Sequence, residues 1–216
     1  MKKTNWHLLV SIISLIALTL ACSSLSLPKG GGDTAILRDD FSDSSSGWGT
    51  GTDSNSSVEY ANDGLQFVVF SDRFITWSNP NTETYSNVHI EVSAKNDSSD
   101  RLVIYGILCH EQPDQSFYYL GVASDGYYTI SKSAASQDDV SLTNGTSTLV
   151  PTGSETFTIG ADCGNGSLAL YINGQQVATM QDSSYTSGKL GVFAGSNDSP
   201  NSVNVTFDDF VVTSLQ

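Results

Sequence analysis

Carboxylates and histidines are the side chains best suited to acid-base chemistry, and their spacing in this sequence does not form a catalytic set. Glu91 and Glu111 stand apart from other acids in their apolar segments, whereas a retaining glycosidase needs two carboxylates ~5 Å apart across a cleft. His89 and His110 lie in different segments, with no serine elbow or paired-histidine spacing nearby. We therefore expect no catalytic residues, and solvated strand faces for both glutamates.

Aromatic residues on alternate strand positions favour ligand binding instead. Leu120 and Val122 mark the inward phase of one strand, which leaves Tyr119 outward. Because Cys109 belongs to the inward phase of another strand, His110 is also expected to point outward. Rings on a rigid sheet can stack on a sugar, while a few polar groups orient its hydroxyls. The predicted ligand face comprises Trp77, Glu91, His110, Tyr119 and Tyr127.

A second interpretation of these tyrosines stays open. Tyrosine has a high β propensity, so the rings of Tyr119 and Tyr127 could simply pack under loops. The sequence alone does not separate the two interpretations.

The amino terminus indicates an export signal. Met1-Lys2-Lys3 is a basic start, Leu8 to Leu20 is apolar, and the small residue Ala21 precedes Cys22. As a helix, the apolar stretch would reach at most ~20 Å, which is short of the ~30 Å hydrocarbon core of a bilayer. Residues 1–21 are therefore predicted to be a cleaved signal peptide and not a lasting membrane span.

The segment Leu18-Thr19-Leu20-Ala21-Cys22 resembles the lipobox of bacterial lipoproteins. The resemblance implies that a diacylglycerol is attached to Cys22 through a thioether. Acyl chains on Cys22 would make the lipid bilayer a partner and keep the protein in the cell envelope, facing outside the cytoplasm. The alternative is an ordinary secretory signal in which Cys22 is incidental.

Cys109 and Cys163 remain after the lipidation candidate. Each ends an alternating apolar run, and disulfides survive outside the cytoplasm, so we expect these two residues to be bonded to each other. Two buried free thiols are the alternative. The cysteine spacing does not resemble that of a zinc site.

The charge excludes one class of partner. The chain has a formal net charge of −14, and all of its 23 acidic residues follow Cys22. Proteins bind nucleic acid through Lys and Arg, and no basic cluster follows Lys3.

Removal of the signal leaves about 190 residues, a length at which an all-β chain commonly forms one domain.

The rest of the chain has the pattern of a β protein. Residues 22–33 contain Pro28 and three consecutive glycines and are predicted to be a flexible tether. Residues 34–216 contain short runs of β-branched and aromatic residues separated by turn residues. Asn173-Gly174 and Asp125-Gly126 stand between such runs and predict β-hairpins with type I′ turns. The predicted strands are 65–70, 73–78, 88–95, 101–111, 117–124, 127–133, 155–163, 168–172, 175–180, 189–195 and 203–213.

These strands, linked by hairpins and without crossover helices, predict an all-β domain in which two antiparallel sheets pack as a β-sandwich.

Several segments share residues with a known fold family. They are Asp39-Asp40-Phe41-Ser42-Asp43 with Gly47-Trp48, Leu170-Tyr171-Ile172-Asn173-Gly174, Gly191-Val192-Phe193-Ala194-Gly195 and Phe207-Asp208-Asp209-Phe210. They resemble the concanavalin A-like, laminin G-like jelly-roll domains of bacterial extracytoplasmic proteins. The resemblance covers nearly the whole chain after the signal and implies a jelly roll. Because lectins, carbohydrate-binding modules, adhesion domains and glycosidases share this fold, it implies no single function.

Many jelly rolls of this type hold one structural calcium ion through Asp and backbone oxygens. The resemblance implies that Asp40 and Asp208 lie in paired terminal strands, which makes them candidate calcium ligands. Alternatively, both are solvated edge residues that discourage association between sheets. No other cofactor is expected.

Together these features predict a non-catalytic, membrane-anchored domain that binds a glycan or polysaccharide. An adhesion or assembly domain that recognises another envelope protein is the alternative, since laminin G-like domains often have that role. An enzyme acting on oligosaccharides is a third possibility, because keto-disaccharide hydrolase domains share the sandwich. The laminarinase-like signature Glu-x-Asp-x-x-Glu does not occur in the predicted strands.

Overall fold

Runs of β-branched and aromatic residues form extended strands along the chain. The computed structural model describes residues 35–198 and 203–215, and within these ranges it contains fifteen strands and no helix. In chain order the strands are β1 (Leu37–Asp39), β2 (Gly51–Thr52), β3 (Ser56–Ala61), β4 (Gly64–Val69), β5 (Ile75–Ser78), β6 (Val88–Asn96), β7 (Ile104–Glu111), β8 (Phe117–Val122), β9 (Tyr127–Ser133), β10 (Val140–Thr146), β11 (Phe157–Gly164), β12 (Ser167–Ile172), β13 (Gln175–Gln181), β14 (Lys189–Gly195) and β15 (Val203–Ser214).

Two antiparallel sheets pack face to face. The large sheet has the order β13-β12-β11-β6-β15-β4-β3-β2, and β1 pairs with β15 beside it. The small sheet has the order β10-β9-β8-β7-β14-β5. The prediction of an all-β antiparallel sandwich is confirmed. All described residues lie in one compact unit.

The core lies between the sheets and follows the alternation of the sequence. In β6, Val88, Ile90 and Val92 are buried, while the intervening His89 and Glu91 are partly exposed on the other face. Each apolar side chain that is fully buried in this way stabilises the fold by ~1.5–3 kcal/mol relative to leaving it exposed. The inward phase of every long strand therefore contributes to one shared core.

The two hairpins predicted from the sequence form, but with different turns. Asn173 and Gly174 both have positive φ, at 49° and 74°, as a type I′ turn requires. At the other hairpin Gly126 has a positive φ of 94° while Asp125 does not, so that turn is not of type I′. Asp125 instead caps the turn, because its Oδ1 accepts a hydrogen bond from the backbone N of Tyr127 at 2.9 Å.

Four strands are absent from the sequence prediction, namely β1, β2, β3 and β10. β10 is an exposed edge strand that contains Asn144-Gly145, so its composition resembles a turn more than a strand. β5 also begins later than predicted, because Arg73 has a positive φ of 48° and lies in a turn.

A disulfide bond joins the two sheets. Cys109 of β7 in the small sheet is bonded to Cys163 of β11 in the large sheet, 54 residues away in the sequence. This confirms the predicted pairing and excludes the alternative of two free thiols. The bond closes a long loop, so its main effect is to restrict the unfolded chain.

The signal peptide, Cys22 and the tether lie outside the described residues. Across the ranges that the structure does describe, none of the elements is a helix long and apolar enough to cross a membrane.

The disulfide generates a stability prediction. Replacing both cysteines, in Cys109→Ala with Cys163→Ala, should lower the free energy of unfolding by ~2–4 kcal/mol, because the 54-residue loop is then open in the unfolded state. Urea unfolding followed by circular dichroism measures the loss. The wild-type protein in excess dithiothreitol is the control and should unfold at a similarly reduced urea concentration. Unchanged midpoints in both samples would show that the bond contributes nothing.

Candidate functional site

The outer face of the small sheet, which is turned away from the large sheet, carries a second apolar cluster. In β8, Tyr118 and Leu120 point into the main core, whereas Phe117 and Tyr119 point to the outer face. This outer surface is named the aromatic face, and its residues are Ile75, Trp77, Ile104, Leu108, Phe117, Tyr119 and Phe193. The central strands of the small sheet are therefore apolar on both sides.

Ring pairs organise the aromatic face. The Trp77 and Phe117 ring centroids are 5.1 Å apart, and those of Tyr119 and Phe193 are 5.5 Å apart. Both separations are typical of tilted or edge-to-face pairs, which add ~0.5–1.5 kcal/mol beyond burial. Phe117 and Phe193 are buried, while Trp77 and Tyr119 stay partly exposed. The last two present ring surface to solvent.

A glycine lets this cluster lie close to the sheet. A Cβ atom added to Gly121 would stand 2.7 Å from Cζ of Phe193, so the ring packs directly over this position. Gly106 is the cross-strand partner of Gly121 in β7. A Cβ atom added to Gly106 would instead stand 2.2 Å from the carbonyl oxygen of Leu120, so this position keeps the backbones of β7 and β8 close together.

Polar groups border the rings on the β9 and β10 side. The Tyr119 hydroxyl donates to Oδ2 of Asp139 at 3.0 Å. Burial, with the nearby Asp139 and Tyr127, raises the pKa of Tyr119 to about 12, so its hydroxyl keeps its proton at neutral pH. On the neighbouring edge strand, Nδ2 of Asn144 donates to Oγ of Ser141 at 2.8 Å, and both residues are exposed. Aromatic surface therefore adjoins exposed hydroxyl, amide and carboxylate groups.

The structure brings together three of the five predicted ligand residues. Trp77 and Tyr119 belong to the aromatic face. Tyr127 occupies the same phase of β9 as Thr129 and Ser131, opposite to the inward Ile130, so it lies on the same side of the small sheet.

His110 does not lie where the sequence predicted. The pairing of β7 with β14 shifts at this point, and His110 has a positive φ of 56°, so a bulge turns its ring inward. The ring is buried, with Nδ1 3.0 Å from the carbonyl oxygen of Tyr185 and Nε2 3.1 Å from that of Ser86. Burial lowers the pKa of His110, although both carbonyls oppose the shift. The expected outward orientation is wrong.

Glu111 also departs from its expected solvated position, because it is only 5% exposed. It is the cross-strand partner of Lys189, whose Nζ lies 3.4 Å from Oε2 of Glu111. This Oε2 atom is buried and has no hydrogen-bond partner within the described ranges. The bulge at His110 sets the register in which Glu111 lies opposite Lys189, and the sequence pattern does not show this pairing.

Glu91 lies on the outer face of the large sheet, away from the other candidates. There its Oε1 is 3.5 Å from Nε2 of His89, whose Nδ1 is 2.6 Å from Oδ1 of Asp162. The Tyr171 hydroxyl donates to Oδ2 of the same Asp162 at 2.6 Å. The hydrogen bond to Asp162, reinforced by Glu91, raises the pKa of His89 despite partial burial. These side chains form a satisfied polar network on an open sheet surface.

The predicted calcium ligands lie near each other. β1 and β15 pair as expected, and Asp40 is close enough to help raise the pKa of Asp208, which burial raises most. The Asp40 carboxylate already accepts two hydrogen bonds from Ser42, and that of Asp208 accepts the backbone N–H of Asp209. Within residues 35–198 and 203–215, no three His, Cys, Asp or Glu side chains are grouped to hold a metal. Calcium at Asp40 and Asp208 stays a prediction.

The neighbouring Asp39 has a structural role. Its carboxylate accepts the indole N–H of Trp48 at 2.8 Å and the backbone N–H of Phe41 at 2.8 Å. The Trp48 ring lies 5.0 Å from the rings of both Phe41 and Phe210. The Asp-Asp-Phe and Gly-Trp segments thus join the two ends of the domain to its core.

Comparison with known proteins places the fold. No known protein family and no curated protein matches the chain. The carbohydrate-binding module CBM66 from Bacillus subtilis aligns with a TM-score of 0.63 and 13% identity, over 78% of this chain and 96% of that one. A Bacillus subtilis protein of unknown function with a galectin-like fold also has a TM-score of 0.63 and 13% identity, over 83% and 96%.

A glycoside hydrolase contains the same fold as one part of a longer chain. The GH43 protein BlXynB from Bacillus licheniformis aligns with a TM-score of 0.61 and 13% identity, over 82% of this chain but 39% of that one. At these identities the similarity shows the fold alone, which is a jelly-roll or galectin-like β-sandwich.

The His89 network generates a prediction about pH. The pKa of His89 is raised in the folded state, so the charged network stabilises the fold fully below the unfolded pKa of ~6.5 and loses this contribution as pH rises through the folded pKa. The difference in unfolding free energy between the wild type and His89→Gln should therefore be larger at pH 5 than at pH 8.5. Urea titrations across this range measure the difference. Gln181→Ala, on the same sheet but outside the network, is the control, and its effect should not vary over these pH values. A constant effect of His89→Gln would contradict the network's role.

Proposed function

We propose that the chain is a non-catalytic carbohydrate-binding module that binds a glycan on the aromatic face. The observation that carries the proposal is the pair of partly exposed rings, Trp77 and Tyr119, fixed by packing on the small sheet. Sugar rings have an apolar C–H face that stacks on such aromatic surface. Because Phe117 and Phe193 hold both rings from below, little conformational entropy is lost when a ligand binds.

Polar groups beside the rings provide hydrogen bonds for sugar hydroxyls. Asp139, Ser141 and Asn144 are exposed next to Tyr119 and Tyr127, and together they supply both donors and acceptors. The mixture suits a neutral polyhydroxyl ligand. The fold shared with a Bacillus subtilis carbohydrate-binding module supports the proposal as an analogy.

A binding role accounts for the acids better than a catalytic one. Glu91 is on the outer face of the large sheet and forms part of the His89 network. Glu111 belongs to the small sheet and is buried beside Lys189. These two carboxylates therefore cannot face each other across one cleft, as a glycosidase requires.

We further propose that acyl chains on Cys22 display this module on the outside of a membrane. The proposal rests on the basic start, the apolar run and the lipobox-like residues before Cys22, and on the glycine-rich residues 22–33, which would separate the module from the bilayer. A surface-held module would keep glycan near the cell.

The aromatic face generates a binding prediction. Trp77→Ala should weaken retention of the protein on polysaccharide by about tenfold, and Tyr119→Ala by a similar factor, because each removes one stacking surface. Affinity gel electrophoresis against a panel of soluble polysaccharides, with calcium or EDTA, measures retention, and circular dichroism confirms folding. Failure of the wild type to be retarded by any polysaccharide under either condition would remove the proposal.

A matched control lies on the opposite surface. Tyr171→Ala removes a ring of the same type from the outer face of the large sheet and should leave retention unchanged. Equal losses for Tyr171→Ala and Tyr119→Ala would show that the aromatic face is not the site. Capture of a stoichiometric envelope protein, without any glycan binding, would favour the adhesion alternative.

The anchoring proposal predicts in which cell fraction the protein is found. Cys22→Ser should move the protein from the membrane to the soluble fraction and abolish incorporation of labelled palmitate, because the thioether can no longer form. Fractionation of expressing bacteria measures this, and Ser23→Ala, next to the same position, is the control. Membrane association that survives Cys22→Ser would contradict acylation at this residue.

A further inference from the structure

A cavity separate from the aromatic face lies at one end of the sandwich. It has a volume of about 200 Å³ and is lined by side chains from both sheets and their connecting turns. His110 and Tyr118 line it from the small sheet, Asn165 from the β11–β12 turn, and Asp182 and Tyr185 from the segment after β13. We refer to it as the end pocket.

The walls of the end pocket are firmly held. Cys109 and Cys163, which form the disulfide, directly precede the lining residues His110 and Gly164. The buried His110 ring contacts the carbonyl oxygens of Ser86 and Tyr185, which belong to two different walls. A cavity braced in this way is preorganised, so a ligand would not have to order it.

A further hydrogen bond connects two of the segments that line the end pocket. Oδ1 of Asn87 accepts the backbone N–H of Asn165 at 2.8 Å, which ties the β11–β12 turn to the start of β6. Asn165 itself has a positive φ of 54°, a conformation that only glycine and a few polar residues adopt without strain.

The lining combines the partly exposed ring of Tyr185 with fixed polar groups, while the ring of Tyr118 beside it is completely buried. The rings of Tyr118 and Tyr185 are 4.9 Å apart, and the Tyr118 hydroxyl donates to Asp182 while accepting the backbone N–H of Tyr185 at 3.0 Å. Nζ of Lys132 lies 3.1 Å from Oδ2 of Asp182. Burial would raise the pKa of Asp182, but hydrogen bonds from Tyr118, Ser184 and Lys132 hold it well below its usual range. The charge of the carboxylate is thus balanced locally by Lys132.

Size and charge together define the ligand class. A volume of about 200 Å³ is below the ~300 Å³ at which pockets for drug-sized molecules begin, so there is room for a single ring. Since Asp182 already has a cationic partner, neither a cation nor an anion is favoured over a neutral molecule. The groups that a ligand can reach are the amides of Asn87 and Asn165, the hydroxyls of Ser86 and Thr186 and the ring of Tyr185, and together they match a polyhydroxyl ring.

We propose that the end pocket binds one monosaccharide unit, as a second carbohydrate site distinct from the aromatic face. Tyr118 and Tyr119 are consecutive in β8 and point to opposite sides of the small sheet, so the two sites share no ring. The aromatic face is an open surface suited to the side of a chain, whereas the end pocket accepts a single terminal unit. The end pocket does not depend on the aromatic face being a glycan site.

The test titrates the full-length protein with glucose, galactose, mannose, fructose and N-acetylglucosamine, using saturation-transfer NMR and calorimetry. At least one should bind saturably, with a Kd of about 1–10 mM. Asn165→Gly removes a lining side chain without straining the positive-φ backbone and should weaken that binding by about three- to tenfold. Asn173→Gly is the matched control, because Asn173 has a similar φ of 49° in a turn outside the pocket, and it should leave the Kd unchanged.

Three outcomes would contradict the proposal that the end pocket binds a monosaccharide. One is that none of the five sugars binds, and another is that Asn165→Gly and Asn173→Gly have equal effects. The third is that Trp77→Ala abolishes monosaccharide binding while Asn165→Gly leaves it intact, since the sugar would then be on the aromatic face. Retention on polysaccharide that depends on Trp77, combined with an empty end pocket, would reject this inference and leave the proposed function standing.

Discussion

Close packing of the two sheets around one core is the interaction on which the rest of the structure depends. Tyr105 and Ile107 from the small sheet, and Ile90 and Val92 from the large sheet, are completely buried between the two layers. Because strand side chains alternate, this packing commits one phase of every central strand to the core and leaves the other phase free. The positions of all candidate functional side chains follow from that division.

The two outer faces use their free phase in different ways. The large sheet presents a polar network in which Asp162 accepts hydrogen bonds from His89 and Tyr171. The small sheet presents rings, which bury Phe117 and Phe193 and leave part of Trp77 exposed. An apolar outer face is unusual for an antiparallel sheet with a solvated side and marks a candidate binding surface. The asymmetry between the faces is the reason for assigning glycan binding to the small sheet.

The bulge at the end of β7 creates the second distinctive region. It places the His110 ring between two backbone carbonyl oxygens and puts Glu111 opposite Lys189. Two consecutive ionisable residues are therefore buried. The disulfide beside it fixes both sheets at the same end of the sandwich. Buried polar groups cost free energy unless they are partnered, so this end of the domain is more constrained than an ordinary loop region.

The amino-acid pattern by itself determined the class of fold, the inward phase of strands such as β6 and the Asn173-Gly174 turn, whereas the bond between Cys109 and Cys163 was expected but left two free thiols as an alternative. These features depend on local alternation and turn chemistry, which neighbouring residues specify. Tyr119 and Tyr127 were likewise predicted to share a face, because each belongs to the outward phase of its strand, and Trp77 was grouped with them.

Only the tertiary structure decided where the exceptions lie. The bulge that buries His110 and Glu111 depends on the pairing of β7 with β14, which are distant in sequence, and no local pattern records it. Glu91 was separated from the ring cluster for the same reason, since the sheet that a strand joins is set by long-range pairing. The end pocket arises where five segments of the chain meet, and that meeting exists only after both sheets have packed.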